Sequence, residues 1–224
     1  MSSSFRHSFD IIGPIMIGPS SSHTAGAARI GRIARNLFGE QPDAAEILLY
    51  GSFAKTYRGH GTDVALIAGL LNFATHDPRI PKSLVIAKES GMDVTFKPGA
   101  PNPDYHPNTV RIKLTQGERK FEMLGVSIGG GAVEILEIDG FKVKLTGQYP
   151  TLVIPHADRF GVIAAVTTIL SKHQLNISHM EVSRRGRGSE ALMLISTDEQ
   201  PPDEAVAEIH QLEAVQRVSR IDPS

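Results

Sequence analysis

The stretch TLVIPHADRFGVIAAVTTILSKH, residues 151–173, changes its apolar period halfway along, and that change decides how the C-terminal part folds. Thr151 to Pro155 is a short apolar run suited to a strand, whereas Gly161 to His173 carries apolar residues at helical spacing. Further along, Asn176 to Arg184 and Ala191 to Thr197 read as strands, Pro202 to Leu212 as a helix, and Val215 to Ile221 as a final strand. The order β-α-β-β-α-β defines a ferredoxin-like unit. Arg184, Arg185 and Arg187, interspersed with Gly186 and Gly188, read as a solvated hairpin turn; a nucleic-acid surface would want more charge and interleaved aromatics. Gly147 to Pro150 reads as a linker, so the chain is expected to divide into 1–146 and 147–224.

Upstream of the linker the pattern is mixed. Thr24 to Phe38 has apolar residues at helical spacing and ends at Gly39, Glu46 to Tyr50 is a short buried-strand run, and a loop leads to a second helix. That helix is expected to begin near Thr62, whose hydroxyl can cap free backbone donors, with Asp63 in its first turn, and to stop by Pro78. From Met92 the period becomes two: Val94 and Phe96, then Val110, Ile112 and Leu114, then Val133 to Ile138 joined to Phe141, Val143 and Leu145 by Asp139-Gly140, a strong hairpin signal. These runs predict an antiparallel sheet. Lys97 to Asn108, with four prolines, is expected to be an ordered, irregular loop of the kind that covers sites. The fold class is α+β, an N-terminal α/β domain followed by the ferredoxin-like unit.

Composition narrows the functional classes. The 224 residues carry 23 Lys plus Arg against 24 Asp plus Glu, so no global field draws the chain to nucleic acid or anionic lipid. The N-terminal residues lack the apolar core of a signal peptide, and a soluble, cytoplasmic protein is expected. Cysteine is absent, which excludes disulfides, a Cys nucleophile and any thiolate-bound metal or cluster held by this chain alone.

Two segments carry candidate chemistry. In Gly18-Pro19-Ser20-Ser21-Ser22-His23-Thr24, helix-start N–H groups and three serine hydroxyls form an anion receptor for a carboxylate or phosphate, with His23 facing the ligand; serines also precede helices simply as caps. The apolar flank Ile11 to Ile17 is expected to anchor this loop. In Gly51-Ser52-Phe53-Ala54-Lys55-Thr56-Tyr57-Arg58-Gly59-His60-Gly61-Thr62-Asp63, His60 stands between glycines that let a substrate approach its ring, and imidazole suits a general base; alone, such a motif reads more readily as a tight solvated turn, and it is the presence of both segments in one domain that favours the site. A metal site from His23, His60 and Asp63 matches no common ligand spacing and ranks below substrate binding. Gly125 to Gly131 lacks the strand-to-helix context of a nucleotide loop and reads as a glycine bulge.

Together, in this order and spacing, the segments Gly18 to Thr24 and Gly51 to Asp63 closely resemble the beta chain of iron–sulfur-dependent L-serine dehydratase, and Gly125 to Gly131 is similar to that family as well. Asp158-Arg159-Phe160-Gly161-Val162-Ile163 looks like the first turn of an ACT domain, a regulatory amino-acid-binding module. The resemblance also implies that the N-terminal domain is similar to the allosteric substrate-binding domain of some phosphoglycerate dehydrogenases.

In that family a 4Fe-4S cluster acts as Lewis acid toward the serine hydroxyl, so a cysteine-free chain implies the two-chain form, with the cluster on a separate alpha subunit. The resemblance implies an L-serine ammonia-lyase with His60 as the base that removes the Cα proton and His23 as the second choice or as an orienting partner. Ser20, Ser21 and Ser22 would hold the carboxylate, with Thr24 counted among the substrate-binding residues, while Thr62 and Asp63 would bind the ammonium or cap the helix. An effector amino acid in the ACT-like unit would meet Asp158, Gly161, Val162, Asn176 and Ile177; alternatively the unit serves as a homodimer contact. The rival reading is a non-catalytic regulatory subunit that senses an amino acid. Lys55 is the single lysine worth testing for pyridoxal chemistry. No metal ligand, nucleic-acid partner or membrane partner is expected of this chain.

Overall fold

The computed structural model describes residues 16–223; residues 11–15 of the expected apolar anchor lie outside them. By internal contacts the chain divides into two compact units between Gly140 and Phe141.

The N-terminal unit opens with a π-helical turn, Ser21–Ala25, that leads into α1 (Gly26–Phe38). Gly39, at φ 93°, ends α1 by donating its N–H to the Arg35 carbonyl, the left-handed stop that glycine adopts without strain. β1 (Ala44–Leu49) buries Ala45, Ile47 and Leu49 on alternate positions. The segment expected to be a loop begins as a short helix, α2 (Gly51–Thr56), followed by a turn and α3 (Thr62–Leu70). A 3-10 turn, Ile80–Lys82, and α4 (Ser83–Glu89) follow. The remaining strands of this unit are β2 (Asp93–Pro98), β3 (Thr109–Gln116), β4 (Arg119–Gly129) and β5 (Ala132–Ile138); β6 (Phe141–Leu145) begins just past the division and completes the sheet.

The sheet order is β2-β1-β3-β4-β5-β6. Its ladder corrects one expectation: β2 runs parallel to β1, from Ala44↔Asp93 to Leu49↔Pro98, while β1-β3, β3-β4 and β4-β5 are antiparallel. A parallel neighbour needs a crossover, and α2, α3 and α4 supply it. Asp139 and Gly140, both at positive φ, form the expected tight hairpin turn. The expected bulge is present where the β4-β5 register shifts, between Leu124 and Gly125 and between Ser127 and Gly129.

α3 is apolar all round, and Ala65 to Leu70 are buried. It packs on α1 with nothing between the backbones: a Cβ added to Gly31 would lie 2.2 Å from the Leu66 carbonyl oxygen, and one added to Gly69 would lie 2.1 Å from that of Ala28. A Cβ on Gly61 would lie 3.9 Å from the Thr24 methyl at the two helix starts, and the Gly31–Leu66 and Arg32–Gly69 approaches come further along both, so the helices run side by side in the same sense. Their N-termini therefore open at one place.

The second unit contains β7 (Thr151–Ala157), α5 (Val162–Lys172), β8 (Ile177–Arg184), β9 (Glu190–Thr197), α6 (Asp203–His210) and β10 (Ser219–Ile221). The sheet order is β10-β7-β9-β8, antiparallel throughout. Leu152, Ile154, Met193 and Ile195 form its core with Val166, Leu170 and Ile209 from the two helices. Among the described residues no helix is long and apolar enough to cross a membrane.

Candidate active site

The N-termini of α1 and α3 bring the two histidines together. His23 lies in the π turn and His60 in the last turn before Gly61, which starts α3 at φ 69°. Their rings meet edge to face with centroids 4.8 Å apart. His23 is buried, whereas His60 is exposed.

His23 is held from every side. Its Nδ1 lies 3.2 Å from the Ser22 hydroxyl and 3.4 Å from that of Ser20, and its Nε2 lies 3.3 Å from the Ser52 hydroxyl. Its backbone N–H donates to Ser20 Oγ, and the buried Phe53 ring stands edge-on to it at 5.2 Å. Burial first, and the neighbouring His60 second, hold the His23 pKa below its ordinary value of 6.5, so the ring is neutral near pH 7. A neutral imidazole has one donor and one acceptor nitrogen, and hydroxyls can match either.

The serine run therefore caps the turn and cradles the histidine at once. Ser20 is the N-cap, and its hydroxyl lies 3.3 Å from that of Ser22. The Ser21 carbonyl accepts the Gly26 N–H. Thr24 is placed differently from expectation: its hydroxyl donates to the Ser20 carbonyl and approaches the Met16 sulfur, and its methyl fills the space a Gly18 side chain would need. It shapes the turn and has no proton left to offer a ligand.

Thr62 also departs from expectation. Gly61, with no side chain, occupies the cap position of α3, so the fully buried Thr62 hydroxyl caps nothing and has no partner among the described residues. Asp63 Oδ1 accepts the Val64 N–H and so serves the helix start. Lys55, on α2, is exposed.

Two supporting residues carried no role in the sequence reading. Ser52 contacts His23 Nε2, and the only hint of this was its hydroxyl inside the Gly51–Asp63 segment. Pro107, in the irregular loop, accepts the Ser52 and Phe53 N–H groups on one carbonyl, at 2.7 and 3.2 Å. Gly51 fits beneath it because a Cβ there would lie 2.7 Å from the Pro107 Cα. The loop thus braces the residue that braces His23.

The five residues expected to meet an effector do not converge in one chain. Asp158, Gly161 and Val162 lie at the start of α5, and Asn176 and Ile177 lie beyond its end, roughly 16 Å away at 1.5 Å per helical residue. Asp158 is engaged by the Gly188 N–H and by Arg184, in the β8–β9 turn, and Asn176 donates to Asp198 at 2.6 Å.

Comparison with known proteins agrees along the chain. Residues 8–97 match the family described as serine dehydratase beta chain, and residues 151–214 match the ACT domain. The chain is 48% identical over 217 residues to the "Probable L-serine dehydratase, beta chain" of Bacillus subtilis (strain 168), covering 97% of this chain and 98% of that one. It is 39% identical over 178 residues to the L-serine dehydratase beta chain of Peptoniphilus asaccharolyticus, covering 79% and 80%. A D-3-phosphoglycerate dehydrogenase of Bacillus subtilis is 29% identical over 205 residues, 88% of this chain and 37% of that enzyme. With a paired-histidine site in the segment that carries the family match and an ACT domain behind it, the chain belongs to the L-serine dehydratase beta-chain family.

Proposed function

We propose that this chain is the beta subunit of a two-chain L-serine dehydratase, deaminating L-serine to pyruvate and ammonia together with an alpha subunit that carries a 4Fe-4S cluster. Its own residues do not fit the cluster: the sequence has no cysteine, and no three His, Asp or Glu side chains among the described residues gather as metal ligands. The cluster and the departure of the substrate hydroxyl are therefore assigned to the alpha subunit.

The observation that carries the reading is the edge-to-face pair of His23 and His60 at the joint opening of two helix N-termini. Free N–H groups and aligned dipoles there favour a carboxylate, and the Ser20, Ser21 and Ser22 segment lies across them. The buried Thr62 hydroxyl, free of any helix duty, suits the substrate ammonium as acceptor. His23 has both ring nitrogens against serine hydroxyls and acts as the positioning partner. His60 is exposed to an incoming ligand and takes the Cα proton on its imidazole nitrogen. Loss of that proton and of the hydroxyl leaves an enamine, which water converts to pyruvate and ammonia. The ACT domain serves as a contact between two copies of this chain.

The test is His60→Ala in the complex reconstituted with its alpha subunit. Turnover should fall by about 100-fold or more, the scale of a lost general base, while serine still binds. Retained turnover would make this chain a regulatory subunit and remove His60 from the chemistry.

A further inference from the structure

Arg29 is a charge that the proposed chemistry leaves unused. It stands on α1, and helical side chains lean toward the N-terminus, so its guanidinium reaches back toward the helix start. Neither the π turn nor α1 has an acidic residue in its first turn, and a helix start is the positive end of its dipole. Among the described residues the Arg29 side chain makes one hydrogen bond, from Nη1 to the Gly131 carbonyl at 2.7 Å, and its Nε is buried without a partner. Burial lowers its pKa, and no carboxylate acts to raise it. A cation withdrawn from water without a counter-charge costs stability, and an anion that binds beside it recovers that cost.

A second unpartnered group lies at the same helix start. Ser127 of β4 is fully buried, and its hydroxyl has no partner among the described residues. It faces Gly26, the first residue of α1, where an added Cβ would lie 2.1 Å from Ser127 Oγ. Just beyond it, Gly129, Gly130 and Gly131, at φ 99°, 62° and 80°, take the chain through left-handed conformations that other residues avoid, and Gly131 then meets Arg29. This turn belongs to the end of the fold that carries the histidines. The Asn108 carbonyl accepts the Ser127 N–H at 3.1 Å, and the carbonyl one residue earlier, that of Pro107, holds Ser52 and Phe53, which flank His23.

We infer that Arg29 and Ser127 complete a carboxylate pocket at the start of α1, in which the guanidinium pairs with the carboxylate of the bound amino acid and the Ser127 hydroxyl donates to it. The Gly129–Gly131 turn is the wall that holds Arg29 in place. The inference rests on the dehydratase reading and deepens it: serine hydroxyls and helix N–H groups leave a carboxylate without a full counter-charge, and Arg29 supplies one. A carboxylate fixed at one point also fixes the Cα beside it, which is what proton removal requires.

The test uses the complex reconstituted anaerobically with its alpha subunit. Arg29→Gln should raise KM for L-serine roughly tenfold or more, the scale of a lost charge-assisted hydrogen bond, with kcat changed less. Arg29→Lys, which keeps the charge, should recover part of that loss. Ser127→Ala removes a hydroxyl that no described protein group uses, so the thermal melt of the chain should hold while KM rises roughly threefold or more. A merely structural pair would lower the melt and leave KM where it was. Unchanged KM in both Arg29→Gln and Ser127→Ala, with serine still turned over, overturns the pocket and leaves the dehydratase reading standing. Unchanged KM with more alpha subunit needed for half-maximal activity also overturns it, because the carboxylate is then the partner's. A wild-type complex that turns over no serine overturns the underlying reading and the pocket together.

Discussion

His23 and His60 are chemically the same side chain in two environments, one buried and one exposed. His23 is buried, so protonating it removes a charge from water and places it beside a second imidazole. Its pKa in the folded protein is therefore below the unfolded value of 6.5, and between the two the unfolded chain binds the extra proton. The penalty is absent at higher pH, grows as pH falls through 6.5, and is complete below the folded value. Urea titrations from about pH 7.5 to about pH 5 should show the wild type losing stability faster than His23→Gln, whose side chain keeps polar contacts but does not titrate over this range. Equal slopes would place His23 in water. Sequence alone picked out both histidines, because glycines and serines around them advertise close approach and helix starts. It could not tell which was buried, since burial of His23 depends on Ser52 and Phe53 from a different helix.

Among the elements, legibility followed periodicity. The four strands and two helices of the C-terminal unit each have their own apolar rhythm and stood out with ends shifted by a few residues. The direction of β2 did not, because alternation has period two in parallel and antiparallel ladders alike. α2 was hidden for another reason: GSFAKT is too short to display a helical stripe, and two N–H groups of its first turn, those of Ser52 and Phe53, lean on the distant Pro107 carbonyl. The contact of α1 with α3 makes a sharper prediction. At Gly69 an added methyl would lie 2.1 Å from the Ala28 carbonyl and 2.6 Å from the Arg32 nitrogen, both backbone atoms that cannot swing aside. Gly69→Ala should therefore cost roughly 1–3 kcal/mol, despite alanine's better helix propensity, and lower the urea midpoint. An unchanged or higher midpoint would show that the helices have slack.

For the molecule as a whole, the informative feature is what the chain does not contain. On the proposed division of labour the electrophile comes from the alpha subunit, and the full-length chain alone should release no pyruvate from serine. Anaerobic reconstitution with a cysteine-bearing alpha subunit should restore turnover, measured as pyruvate formed; unaided turnover would overturn this division of labour. The absence of cysteine is plain in the sequence, which is silent on how the two histidines are kept beside each other. The glycine crossing of α1 and α3 bears on it: main chain rests on main chain, so the spacing of the two helices whose starts carry the imidazoles is set by atoms that every amino acid shares. Neither Gly31 nor Gly69 can take on a side chain without main chain giving way, so variation around the paired imidazoles is left to the loops that precede the two helices.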